Sequence, residues 1–285
     1  MLSDTLTLVR AINRYDAMTI KQVGRYFHLA DGSYTAYSQR LAKLAAEKVL
    51  SRKWIPHPTM LRGGPLVVYI LGPKGRELLR SHGDAVKRFD FGHGEEISKH
   101  NWHSLWVTDV LISAQLWVEA TPGVWLATQL SDFDFKRDRR FPSVVTWGDG
   151  TRHGVAMDSL LAFVFEDTEK DDKQYLIELE TGTHAPAAVR EKVKNLVLFV
   201  QDFAKVFGTD LFSGYLFLAM GIKDLSPDDH RKMILNAIAQ QLREMDVEHY
   251  APLFRVTACP PDRTKLFTEP VWWMPGDYDP YPLLD

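Results

Sequence analysis

The sequence predicts an α+β protein: an N-terminal winged helix-turn-helix followed by an α/β unit with a mixed sheet. Three observations lead there. Tyr34 to Leu79 reads as helix, basic strand, Gly-tipped loop, strand and helix, the order of a winged helix. From His100 onward, strand-like apolar runs alternate with helical ones, the pattern of a mixed-sheet unit. The charge divides in the same place. Residues 1–90 carry 15 Lys/Arg against 7 Asp/Glu, net +8, while the remainder carries 19 against 30, net −11.

The first element is a helix over about Ser3 to Tyr15, with Leu6, Val9 and Ile12 on one side. Thr19 reads as the N-cap of a short helix, Ile20 to Phe27. The Asp31-Gly32-Ser33 turn leads into a third helix, where Leu41, Leu44 and Val49-Leu50 are apolar and Gln39, Arg40 and Lys43 lie opposite. Lys48 to Trp54 is expected as the first wing strand, His57 to Pro65 as the wing tip and Val67 to Leu71 as the return strand. Lys74 to Ser81 closes the module, and the polar joint Gly83 to Gly94 follows. These signals divide the chain into domains at 1–90 and 91–285.

In the second domain a helix is expected over His100 to Val118, with Trp102, Trp106 and Trp117 on a broad apolar surface. Strands follow at Trp125 to Leu130, Val155 to Phe165 and Gln174 to Leu179. A helix covers Pro186 to Phe207, a strand Leu211 to Met220, a helix Pro227 to Met245, and a last strand Phe254 to Ala258. The tail after Glu269 is rich in Pro and aromatics, and Trp272 and Trp273 argue that it docks on the body.

Composition excludes several classes. With 285 residues, 45% hydrophobic and 25% charged, the chain has ample core material for a soluble globular fold. A single cysteine, Cys259, leaves no internal disulfide framework and no Cys-based zinc site. The N-terminus lacks a signal-peptide core, and apolar runs such as Leu160 to Phe165 are too short to span a bilayer. A cytoplasmic protein with no membrane partner is expected.

A basic N-terminal part points to a polyanion. On the third helix, Gln39 and Arg40 suit base edges, while Ser38 and Lys43 suit phosphates. Tyr34, Thr35 and Tyr37 lie near the start of that helix, and Arg52, Lys53 and Arg62 lie on the wing. Double-stranded DNA is therefore the expected partner.

A second constellation is acidic. Glu178 and Glu180 alternate on one strand and so share a face. Asp158 can join them if its strand is adjacent. Three converging carboxylates repel one another unless a cation relieves them. Lys192 or Lys194, on the following helix, can face the cluster, and Arg152 and His153 precede the first of these strands. His93, His100 and His103 lack a third ligand at metal spacing and read as packing or surface residues. No nucleophile elbow and no Walker loop is present.

The acidic layout is similar to the PD-(D/E)XK nuclease core, which implies a restriction-endonuclease-like domain. The resemblance implies magnesium held by Asp158 and Glu178 as metal ligands, with Asp158, Glu178, Glu180 and Lys192 as catalytic residues. Glu180 stands where that core has its lysine, so Lys192 would substitute, and Met157-Asp158 replaces the usual Pro-Asp. The order VVYILGPKGRELL, HSLWVTD, VAMDSLLAF, IELETGT over residues 5 to 220 resembles the replication-relaxation family of plasmid and mobile-element proteins. That resemblance implies DNA binding in replication or mobilisation. It leaves two alternatives beside the leading one: a Mg²⁺-dependent nuclease or nickase, and a winged-helix regulator whose second domain dimerises or docks a replication or transfer protein. The nuclease-like domain is expected to be non-catalytic rather than an active endonuclease.

Overall fold

The computed structural model describes residues 5–29, 33–55, 66–87, 101–131, 144–155, 157–181, 185–207, 212–221, 225–259 and 266–284. Contacts divide the chain into two compact units, Met1–Ile112 and Ser113–Asp285.

The first unit begins with α1 (Thr5–Tyr15), which buries Leu8, Val9, Ile12 and Tyr15. A two-residue strand follows, β1 (Met18–Thr19), which the sequence reading does not anticipate because so short a strand has no periodicity. Helix α2 (Ile20–Tyr26) opens with a reciprocal capping box: the Gln22 N–H donates to Thr19 Oγ1, and the Thr19 N–H donates to Gln22 Oε1. Two end-of-helix donors are thereby satisfied. Helix α3 (Tyr34–Ala46) buries Leu41 and Leu44. It crosses α2 at Gly24, where a Cβ would stand 2.7 Å from the Tyr34 ring.

Strands β2 (Leu50–Ile55) and β3 (Leu66–Leu71) form an antiparallel hairpin from Leu50↔Leu71 to Ile55↔Leu66, and β1 pairs with the other side of β3. The expected wing tip, Gly63, Gly64 and Arg62 included, lies outside the described residues, as do His93 and His100. Helix α4 (Pro73–Ser81) starts on a proline, whose missing N–H is no loss at that position. Helix α5 (Asn101–Ala120) sends Leu105 into a core with Ala17, Ile55, Val68 and Ile70. Gln22 Nε2 donates to the Leu105 carbonyl at 2.7 Å, and Arg25 pairs with Asp109 at 2.7 Å. The HSLWVTD segment is thus held by α2.

The second unit is a mixed five-stranded sheet in the order β10-β9-β8-β7-β4, which makes the chain α+β. Its strands are β4 (Val124–Ser131), β7 (Ser159–Phe165), β8 (Lys173–Glu180), β9 (Gly214–Met220) and β10 (Phe254–Cys259). Strands β8, β9 and β10 are parallel, connected by α6 (Pro186–Phe207) and α7 (Pro227–Glu244), while β7 runs antiparallel to β8 and β4. A parallel neighbour requires a crossover, and the two helices supply it. The core packs Val189, Val193, Leu196 and Val197 of α6 and Ile234 and Ile238 of α7 against Leu176, Tyr215, Phe217 and Val256.

One expected strand is divided. Val155 to Phe165 reads as a single run, but β7 begins only at Ser159, after a bend at Asp158. Ahead of the bend a small hairpin, β5 (Val144–Thr146) with β6 (Arg152–Gly154), forms a separate sheet. A 3₁₀ helix, Glu248–Leu253, leads into β10. The tail docks as expected: Trp272 is fully buried and donates from Nε1 to the Leu266 carbonyl, and Trp273 bridges to Val256. The Trp273 ring also lies under the Arg231 guanidinium, at 4.1 Å.

Candidate functional site

The sheet brings the acidic residues together. Because β7 enters antiparallel to β8 with Ser159 opposite Ile177, Asp158 arrives beside the end of β8. It is fixed twice: its N–H donates to the Ile177 carbonyl at 3.0 Å, and its Oδ2 accepts the Leu179 N–H at 2.7 Å. Glu178 and Glu180 project from one face of β8, their side chains 8% and 1% exposed. Lys192 comes from the second turn of α6 and donates from Nζ to Glu178 Oε1 and to Glu180 Oε1. Of the two candidate lysines, Lys192 faces the cluster. Lys194 lies instead over the Trp147 ring, its Nζ 3.3 Å from the centroid.

The charges do not balance within this group. One ammonium serves two carboxylates, with Asp158 nearby. Burial pushes the Glu178 acid up to about 8, the Asp158 and Glu180 charges push the same way, and Lys192 opposes them. Burial lowers the basicity of Lys192, but the attraction of Glu178 and Glu180 outweighs it and holds the ammonium well above its ordinary range. Glu178 Oε2 is shielded from solvent and has no hydrogen-bond partner. That buried oxygen next to Asp158 either keeps a proton or takes a cation.

This donor set is at the lower limit of what a divalent ion uses. Among the described residues no group of three or more His, Cys, Asp or Glu is close enough to hold a metal, but magnesium commonly binds through one or two carboxylates, completing its shell with water and substrate phosphate. Asp158 and the free Oε2 of Glu178 supply two. Lys192 occupies the other oxygen of Glu178, the Oε1 side.

On the first unit, Thr35, Ser38, Gln39 and Lys43 are exposed on α3, and Arg52 is exposed on β2. Lys43 pairs loosely with Glu47, at 3.9 Å. The Arg52 guanidinium stacks 4.5 Å over the Trp54 ring. Tyr37 and Lys53 are half-buried. Two of the candidate residues are engaged inside the unit: Tyr34 packs on Gly24, and Arg40 reaches Thr5 Oγ1 at 3.5 Å. Arg62 lies outside the described residues.

The chain matches a family model described as replication-relaxation over residues 9–205. It belongs to the replication-relaxation family. The matched span takes in part of α1, all of α2 to α5, and Asp158, Glu178, Glu180 and Lys192, so both candidate sites lie within the replication-relaxation region. No curated protein matches the chain in sequence. Among the described residues no helix is long and apolar enough to cross a membrane.

Sequence reasoning missed Trp147 and Asn195. Trp147 stacks on His153 at 3.6 Å and 12°, and its Nε1 donates to Asn195 Oδ1 at 2.7 Å. The Lys194 ammonium therefore lies against the opposite ring face, since two groups this close cannot share one. The signal was present in Val144-Val145-Thr146 followed by Gly148-Asp149-Gly150, β-branched residues before a hairpin turn.

Proposed function

We propose that this is a DNA-binding protein of a plasmid or other mobile element, acting in replication, mobilisation or their regulation. The first unit is read as a winged helix whose α3 enters the major groove, with the β2–β3 hairpin as its wing. The observation that carries this reading is the α3 face: Thr35, Ser38, Gln39 and Lys43 point to solvent while Leu41 and Leu44 point to the core. Gln and Lys offer base-edge and phosphate contacts respectively. Membership of the replication-relaxation family supports the setting. The test is duplex binding by fluorescence anisotropy, comparing the native chain with Gln39→Ala plus Lys43→Ala. The double variant should bind at least fivefold more weakly, with a salt slope lower by about one. Unchanged affinity rejects α3 as the reading helix.

A second reading is a metal-dependent nuclease or nickase in the second unit, which we read as restriction-endonuclease-like. It is favoured by the unpartnered Glu178 Oε2 beside Asp158. Magnesium held there would polarise a phosphodiester and lower the pKa of a bound water. The chain's own residues do the rest: the Leu179 N–H orients Asp158, and Lys192 fixes the rotamer of Glu178 while holding Glu180. Supercoiled plasmid incubated with Mg²⁺ or Mn²⁺ tests it. Nicking that disappears in Glu178→Ala supports the reading, and intact plasmid with either metal rejects it.

A further inference from the structure

The face of the sheet turned away from α6 and α7 carries a cation that the chain does not neutralise. Leu176, Phe254 and Val256 enter the core under those two helices, so the alternation of a strand puts Tyr175 and Arg255 on the opposite face. The Arg255 guanidinium lies across β9 at Gly214, where a Cβ would stand 2.6 Å from Nη1. Any residue but glycine would close that room. From there Nη1 donates to the Ser213 carbonyl at 2.8 Å, and the guanidinium passes 5.6 Å from the centroid of the Tyr175 ring. Among the described residues no carboxylate pairs with it. Its Nε is shielded from solvent and has no hydrogen-bond partner.

The tail supplies a second group. Trp272 and Tyr281 exchange backbone hydrogen bonds at 3.2 and 2.9 Å, and the buried Trp272 indole anchors the pair. Burial keeps the Tyr281 phenol protonated well above its ordinary range, so it is a donor at any working pH. The Arg255 charge is near enough to oppose that rise, yet the buried hydroxyl completes no hydrogen bond. Both side chains line one cleft of about 690 Å³, within the range of about 300–1,000 Å³ usual for small-molecule sites. Tyr175, Phe212, Met274, Pro282 and Leu283 give it an apolar and aromatic wall. Glu169, Asp171 and Asp172 stand exposed at the rim, matched in number by Lys170, Lys173 and Arg255. Asp172 is already engaged by the Phe165 N–H at 3.2 Å. The rim acids are screened by solvent, whereas the half-buried guanidinium is screened far less. Packing explains the docked tail, but not a cation and a phenol left unsatisfied side by side in a cleft.

We propose that this cleft binds a small aromatic carboxylate, its anion taken by Arg255 and the Tyr281 hydroxyl and its ring laid against Tyr175 and Phe212. A planar guanidinium matches a carboxylate with two parallel bonds. A phosphate dianion would ask for more donors than one guanidinium and one hydroxyl provide. The site lies at the starts of β8, β9 and β10, whereas Glu178 and Glu180 stand at the far end of β8. It is therefore separate from the acidic cluster, and it does not depend on the DNA-binding reading.

The test is isothermal titration calorimetry of the full chain with phenylacetate, indole-3-acetate and naphthoate, each beside its neutral amide, and with tryptamine as a cation on the same ring. At least one acid should bind with a Kd below about 1 mM. Its amide should bind about tenfold more weakly or worse, and tryptamine no better than the amide. Tyr281→Phe keeps the ring and removes only the hydroxyl. It should weaken the acid about fivefold and leave the melting temperature of the free chain unchanged, because that hydroxyl has no bond to lose. Arg255→Lys keeps the charge without the fork and should weaken the acid about tenfold. Failure of all three acids to bind overturns the proposal, as does an amide or tryptamine that binds as tightly as the acid, or an acid affinity that neither variant changes. A Tyr281→Phe chain that melts well below the native one without ligand also overturns it, since the hydroxyl would then serve the fold.

Discussion

The α3 face and the β8 cluster handle charge in opposite ways. On α3 the polar groups stand in water: Lys43 is exposed, and its contact with Glu47 spans 3.9 Å. On β8 the charges are dry, with Glu180 1% exposed and its partner Lys192 22% exposed. Exposed pairs contribute little to stability, about 0–1 kcal/mol, whereas breaking a buried pair leaves an uncompensated charge that costs several times more. The contrast separates two jobs. A surface that must exchange solvent for a ligand keeps its groups free, and a site that must hold a charge in a chosen state removes the solvent first. Substitutions should therefore have opposite signatures in the two places: affinity without stability on α3, and stability without duplex affinity on β8.

The largest expected effect is at Lys192. Lys192→Met removes the ammonium that donates to both buried carboxylates, and should lower unfolding stability by about 3–5 kcal/mol at pH 8. Urea denaturation checks it. The loss should shrink at pH 5, where the carboxylates can take protons instead. A loss below about 1 kcal/mol at pH 8 would mean that the cluster is far wetter than its burial implies.

Next comes the pH dependence of Glu178. Its folded acid is raised from 4.5 to about 8, so the folded protein binds the proton more tightly than the unfolded chain does. The stabilisation from that proton is fully present below about pH 4.5 and is lost as pH rises through about 8. Glu178→Gln mimics the protonated acid and still accepts from Lys192. The native chain should therefore lose on the order of 2–4 kcal/mol relative to this variant between pH 4.5 and 8.5. Parallel stability curves for the two proteins would place the ionisation elsewhere.

Gly24→Ala is smaller. Its Cβ would meet the Tyr34 ring at 2.7 Å, and overpacking of this kind costs about 1–3 kcal/mol. Thermal unfolding should show the loss, with duplex affinity falling as α3 shifts. If affinity is unchanged, the α2–α3 crossing does not set the position of the exposed face. Smallest in stability is Lys43→Ala, which should change unfolding by less than about 0.5 kcal/mol while weakening duplex binding.

Much of both sites was legible in the sequence, for identifiable reasons. The N-cap at Thr19 is a local signal, satisfied three residues away by Gln22. The shared face of Glu178 and Glu180 follows from the two-residue period of a strand. The join to Asp158 depended only on the adjacency of two strands. What stayed hidden was longer in range or shorter in extent. Lys192 and Lys194 stand about 200° apart on a helix, so one faces in and the other out, but nothing local says which. The links from Gln22 to Leu105 and from Arg25 to Asp109 span 83 and 84 residues. The strands β5 and β6 have three residues each, too few for a period to show. The bend at Asp158 was marked only by the polar pair Asp158-Ser159 in an otherwise apolar run.

The separation of binding from stored charge can be measured in one experiment, the affinity for a 30-base-pair duplex across a salt series for three proteins. Gln39→Ala plus Lys43→Ala should bind at least fivefold more weakly than the native chain and show a shallower salt slope, while Glu178→Gln should match the native chain within twofold. Equal binding by the α3 variant, or a comparable loss in Glu178→Gln, would contradict the assignment of duplex binding to the exposed face of α3.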